Sequence, residues 1–266
     1  MEFREFAGQV LALESIAAKL APIGEPPTDA SPGQPVRPPL PARPPELRFC
    51  QRRQSPAMPR PGAMRDPRRR AVAHHIMANH ELLALEVMAF VLCAFPDAPP
   101  DFRRGLVRIM ADEQRHTRWH LDRLDELGLR FGEIPVNGYI WTKAQEFRGL
   151  LDYLAGLPLM FEGRNLDHTL EFADQFAHAG DDRSAGIMRA IHRDEIGHVA
   201  FGLEWLRRLK PPEQSDWDAF ESHLNWPLRP GKARGKTFNR AARLAAGMTP
   251  EFIDRLEQAG DDQPHG

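Results

Sequence analysis

Apolar and polar residues recur at helical spacing along most of the chain, and almost nowhere do they alternate as in a half-buried strand. In residues 3–20, Phe3, Phe6, Val10, Leu11 and Leu13 fall near one face, which predicts a short amphipathic helix packed on the main body. Over residues 21–62 the prolines crowd together, as in PVRPPLPARPP. No helix persists there, because proline lacks an amide donor and clashes with the preceding turn. That stretch is expected to be an extended strap or a disordered linker. Four long helical stretches follow. The first is expected over residues 66–95, with Pro67 in its first turn and PDAPP ending it. The second covers residues 101–127 and stops at Gly128. The third covers residues 149–178 and stops at Gly180, with Pro158 expected to kink it or mark its true start. The fourth covers residues 182–210 and stops at Pro211-Pro212.

Short, long and short connections between four such helices predict an all-α four-helix bundle with one long crossover. Residues 1–65 then form an N-terminal helix and a Pro-rich strap. Residues 66–210 form the bundle, and residues 211–266 a C-terminal tail with a short helix at 250–258.

Composition narrows this picture without redirecting it. A hydrophobic share of 42% and a charged share of 27% are those of an ordinary globular protein. A net charge of -2 argues against wholesale nucleic-acid or membrane binding. No apolar run is expected to reach the roughly 20 residues that span a bilayer. The start MEFREFAGQV lacks the basic and apolar regions of a secretory signal. Two cysteines, Cys50 and Cys93, cannot build a disulfide framework, so a reduced cytoplasmic setting is expected.

The candidate chemistry lies in two strings, Asp112-Glu-Gln-Arg-His116 and Asp194-Glu-Ile-Gly-His198. In each, a glutamate and a histidine stand three residues apart, on one helical face. One Glu-x-x-His is a weak signal. Here two copies occur, and each has a glutamate at a matching distance upstream: Glu81 lies 32 residues before Glu113, and Glu162 lies 33 before Glu195. Apolar neighbours turn these positions inward, where carboxylates are costly unless something neutralises them. Two divalent cations would cancel the four carboxylate charges of Glu81, Glu113, Glu162 and Glu195, and His116 and His198 would give each ion one nitrogen. Such carboxylate-rich ligation suits iron, or manganese, better than zinc. His120 falls near Glu113 by helical rotation and His192 partly shares the face of Glu195, both as neighbours of the site. Glu86 is turned away from Glu81, and Cys93 reads as core.

This pattern resembles the ferritin-like di-iron carboxylate superfamily, in which two helices each give one Glu and two give Glu-x-x-His. The wording NHELLALE, PDAPPDFRRGL, DEQRH, FEGRNLD and RDEIGHVAFGLEW further resembles an uncharacterised bacterial family within it, a domain of unknown function. The resemblance implies that Glu113 and Glu195 bridge two metals, Glu81 and Glu162 are terminal ligands, and His116 and His198 bind one ion each. It also implies that Asp112 supports His198 and that Asp194 supports His116, fixing each imidazole's orientation. The implied cofactor is two metal ions: iron, with manganese or a mixed Mn/Fe pair as alternatives.

The implied activity is dioxygen activation by a di-iron oxidoreductase, an oxygenase or hydroxylase acting on an organic substrate. An external electron donor is implied, since no flavin or nicotinamide fingerprint occurs. The residues argue against three relatives. Neither Tyr139 nor Tyr153 lies on the second helix, where a ribonucleotide reductase subunit carries its radical. Two isolated cysteines cannot build a rubredoxin module, and the proline-rich arm does not suit a ferritin cage. Two further readings stay open. One is a tRNA-modifying hydroxylase using the basic stretch Arg229, Lys232, Arg234, Lys236, Arg240 and Arg243, although a solvated tail is the simpler account of those charges. The other is a non-enzymatic helical scaffold with the proline-rich strap as its contact. Ferritin-like bundles often dimerise, which leaves a homodimer open.

Overall fold

Asp66 ends the proline-rich stretch and caps a long apolar helix, its side chain accepting the Arg68 backbone N–H at 2.9 Å. Pro67 occupies the first turn, where its missing donor costs nothing. The computed structural model describes residues 1–22, 27–225 and 227–260. Residues 23–26 of the proline-rich stretch, Trp226, and the last six residues of the tail lie outside the described residues. The fold class is all-α, as the periodicity predicts. Extended pairing among the described residues is confined to Phe49–Cys50 against Val136–Asn137, in parallel, and a bridge between Glu2 and Thr28. The chain forms two compact units, Met1–Gln145 and Glu146–Gly266.

The first unit contains α1 (Phe3–Ala12), α2 (Ile16–Lys19), α3 (Pro67–Ala94), α4 (Pro100–Glu126) and α5 (Tyr139–Ala144). The single N-terminal helix expected over residues 3–20 is in fact two. Leu13 leaves helical geometry, and the Ser15 hydroxyl starts a new turn by accepting the Ala18 N–H. Helices α3 and α4 form a hairpin, and α1 packs on α3 through its buried face. Helix α4 ends in a Schellman motif, with Leu129 N–H bonded to Leu124 C=O and Gly128 N–H to Asp125 C=O. Gly128 supplies the left-handed residue at φ 75° that this ending needs.

The membrane expectation needs a correction. Helix α3 is long and apolar enough to cross a bilayer, yet 89% of its apolar window is buried within the protein. A helix apolar on every side must be covered on every side, and here protein does the covering. Much of that cover is the proline-rich stretch, which is a strap in its described part. Val36 N–H bonds to Cys93 C=O, Ala42 N–H to Leu11 C=O, and Trp141 Nε1–H to Pro39 C=O. Arg37 stacks over Phe90 and Phe95. Arg43 enters the core, where it and Lys19 pair with the fully buried Glu86. Glu86 is thus a structural counter-ion, and Cys93 is buried with its thiol pushed upward by that burial.

The second unit contains α6 (Leu150–Leu154), α7 (Gly163–His178), α8 (Asp182–Leu209), α9 (Asp216–Ser222), α10 (Arg240–Ala245) and α11 (Pro250–Gln258). Pro158 neither starts the third long helix nor stops it. Between α6 and α7 the chain winds as a π-helix over Ala155–Glu162, a wider turn that carries the proline inside a continuous helix. Gly202 on α8 lets that helix approach the widened turn, since a Cβ there would lie 2.5 Å from the Pro158 Cβ. Gly180 closes α7 in a second Schellman motif, and the Asp181 side chain caps α8 through the Ser184 N–H. The tail packs back onto α7 and α8. Trp217, Phe220 and Phe252 meet edge to face or tilted, and Arg243, fully buried, grips Asp167 with two hydrogen bonds of 2.7 and 2.8 Å.

Candidate metal centre

In the first unit three predicted ligands come together. Glu81 lies mid-way along α3, and Glu113 and His116 lie one turn apart on α4. The hairpin presents one atom of each so that all three atoms lie within 4.8 Å of one another, and all three residues are buried. His116 Nδ1 stands 3.8 Å from Glu81 Oε2 and 3.9 Å from Glu113 Oε2. Those separations exceed hydrogen-bond length. They match two ligand atoms on one ion, which at about 2.1 Å each lie about 3 Å apart at a right angle and about 4 Å apart when opposed. Burial pushes the Glu81 carboxyl upward, yet His116, with help from Glu113 and His120, holds it at about 2. Glu81 is therefore an anion at neutral pH, the form a cation requires.

His120 is also drawn in. One turn beyond His116, its Nε2 lies 3.9 Å from Glu81 Oε1 and its Nδ1 lies 2.9 Å from Nδ1 of His74. Burial lowers His120 to about 4 and His74 well below its ordinary value, so both rings are neutral. The sequence reading did not single out His74. Its signal was available, since it lies seven residues before Glu81 and thus nearly on the same helical face. Asp112 forms an ion pair with Arg115 at 2.7 Å on its own helix.

In the second unit Glu195 and His198 lie one turn apart on α8, both buried, with Glu195 Oε2 3.8 Å from His198 Nδ1. The other oxygen of Glu195 accepts a 2.8 Å hydrogen bond from the Asn165 side chain on α7. Glu162, also buried, is the last residue of the π-helical segment, one turn before Asn165. The widened turn and Gly163 thus sit beside a predicted ligand, as π-helical turns often do at functional sites. Asn165 went unnoticed in the sequence, although it follows Glu162 at the same three-residue spacing as Glu-x-x-His. His192 is half-buried and its Nδ1 lies 2.9 Å from the Thr169 hydroxyl, which itself donates to Asn165 C=O at 2.6 Å. His192 is therefore linked to Glu195 through Thr169 and Asn165. Asp194, next to Glu195, is half-buried on the same helix.

Buried glutamate–histidine pairs therefore lie one turn apart on both α4 and α8, and Glu81 joins the first pair within 4.8 Å. The model of a protein family of unknown function, DUF455, matches residues 8–254. The chain belongs to this family. Among curated proteins, an uncharacterised protein of Haemophilus influenzae is 28% identical over 154 residues, 58% of this chain. The chain spans about half the length of that relative, 53%. No solved structure matches the chain. The DUF455 match covers both glutamate–histidine motifs and both upstream glutamates.

Proposed function

We propose that this DUF455 protein is a ferritin-like di-metal carboxylate oxidoreductase. It would hold one ion on Glu81, Glu113 and His116 and a second on Glu162, Glu195 and His198. The observation that carries the reading is the buried first set, with two carboxylates and one imidazole inside 4.8 Å. Carboxyl groups buried at that range are costly to ionise together, and a divalent cation is the simplest group that removes the cost. Donors rich in oxygen with one nitrogen per ion fit iron first, and manganese or a mixed Mn/Fe pair next. Bound there, two such ions would supply the electrons that activate dioxygen.

The chain's own residues set the conditions for that chemistry. Burial of Glu113, His116, Glu195 and His198 keeps bulk water from their donor atoms. Asn165 holds Glu195 in one orientation through its 2.8 Å hydrogen bond. The reaction this supports is oxygenation or hydroxylation of a small organic substrate, with electrons from an external donor.

The two alternatives draw less support. Of the basic stretch that an RNA-modifying hydroxylase would use, Arg243 is buried on Asp167, Arg240 pairs with Asp254 and Glu257, and Arg234 donates to Glu257 C=O. The strap that a scaffold protein would offer to a partner is tied down on α1, α3 and α5 through its backbone and Arg43. The test begins with metal analysis of the purified full chain, where about two iron or manganese ions per chain are expected. The double variant Glu113→Ala, His116→Ala should lose metal. Absorbance of the reduced, iron-loaded protein on rapid mixing with oxygen should change in milliseconds to seconds, faster with a substrate. A chain that binds neither metal, or a double variant that binds both normally, sinks the reading.

A further inference from the structure

The His74–His120 pair asks for an explanation that Glu81, Glu113 and His116 alone do not give. His120 is wholly buried, and its Nε2 has no hydrogen-bond partner. Its other nitrogen is committed, since two Nδ1 atoms 2.9 Å apart must share one proton, one donating and one accepting. Two tautomers follow. If His74 donates, His120 carries its proton on Nε2, a buried donor without a hydrogen-bond partner and 3.9 Å from Glu81 Oε1. If His120 donates, its Nε2 is a bare lone pair facing Glu81. A lone pair there is wasted in protein alone but suits a cation.

The distances favour the second arrangement. Glu81 presents one oxygen to each imidazole, Oε2 to His116 at 3.8 Å and Oε1 to His120 at 3.9 Å. The near-equal separations place both nitrogens at ligand-to-ligand range from the same carboxylate. Glu113, His116 and His120 occupy three successive turns of α4, and histidines four residues apart on one helical face can close on one ion. Resting on the metal-centre reading above, we infer that His120 is a fourth ligand of the first unit's ion. His74 is then the positioning residue that accepts the Nδ1–H of His120 and so fixes which nitrogen is bare. The set becomes two carboxylates and two imidazoles, richer in nitrogen than the predicted set of Glu162, Glu195 and His198. The two ions would therefore differ in affinity and in their preference for iron over manganese.

Titration of the metal-free full chain with Mn2+, following free Mn2+ by electron paramagnetic resonance, tests this. For one of two ions, His120→Ala should weaken binding by at least about 10- to 100-fold, and His74→Phe by less, with the other ion unchanged. A His120→Ala protein that binds both ions within twofold of wild type overturns the assignment. Because that variant could misfold, a crystal structure of the Mn2+-loaded wild type gives an independent reading. A Mn–Nε2 distance of about 2.2 Å is expected. Bound Mn2+ with His120 Nε2 beyond 3 Å overturns the fourth ligand and leaves the metal centre standing. A wild-type chain that binds no Mn2+ or Fe2+ overturns both.

Discussion

Glu81 and Glu86 lie five residues apart on one buried helix, and the difference between them is what each faces. Glu81 faces His116 and His120, while Glu86 accepts hydrogen bonds from Lys19 and Arg43. Glu86→Ala leaves two buried cations without their carboxylate. A loss of about 3–5 kcal/mol is therefore expected in urea unfolding, as for other broken buried ion pairs. An effect under 1 kcal/mol would mean that the cluster is solvated. Helical rotation distinguishes Glu81 from Glu86 in the sequence. The partners of Glu86 were not legible, because Lys19 and Arg43 lie 67 and 43 residues away and no local period connects them. Asn165 was hidden for another reason: amides at three-residue spacing are common, and only its bond to Glu195 singles it out. His75 gives the clearest pH dependence. Its Nε2 accepts the Gly132 N–H at 3.0 Å, its ring packs on Phe131, and burial lowers it to about 4. The unfolded chain takes up that proton near 6.5 and the folded chain resists it to about 4. Stability should thus hold above pH 6.5 and fall between pH 6.5 and 4, by up to roughly 3 kcal/mol from this group. His75→Gln, which keeps an acceptor, should flatten that slope by up to one proton in denaturation midpoints measured across the range.

At the scale of elements, the termini were the most legible feature and the helix interiors the least. Asp66-Pro67, Gly128, Gly180 and Pro211 mark ends within a residue or two of those observed, since caps and left-handed glycines act locally. The π-helical segment was not legible. Pro158 signals only that an ordinary turn is disfavoured, and whether the chain breaks or widens depends on what packs against it. Gly202 is part of that packing. Its missing side chain admits the Pro158 ring, at 2.5 Å and 2.8 Å from where a Cβ would stand. Gly202→Ala gains helix propensity of about 1 kcal/mol and meets a rigid ring that cannot swing aside. We expect a net loss of about 1–3 kcal/mol. Glu162 ends the displaced segment and His198 lies one turn before Gly202, so weaker metal uptake should accompany the loss. Unchanged stability with unchanged metal content would show that the close approach has no consequence for the site.

At the scale of the whole molecule, the proline-rich strap joins sequence, cover and site. Helix α3 carries Glu81 inside an apolar window that is 89% buried within the protein, so the helix cannot stand with its apolar sides open. Residues 1–22 and 27–62 close one side. Phe3, Phe6, Val10 and Leu11 bury against it, and Arg43 neutralises Glu86 from the strap. Burying those four side chains contributes about 1.5–3 kcal/mol each, or roughly 6–12 kcal/mol together as an upper estimate. A typical domain has only about 5–15 kcal/mol in all. Deletion of residues 1–62 should therefore abolish cooperative folding of the first unit rather than merely trim it, even though no predicted ligand is removed. The expected result is an insoluble product, or a soluble one that binds a hydrophobic dye and melts without a transition. Added Mn2+ should not restore it, because the ligands can converge only once α3 is covered. A truncated chain that melts cooperatively within a few degrees of the full-length protein, and takes up metal normally, would show the strap to be ornamental to α3 and would detach it from the site.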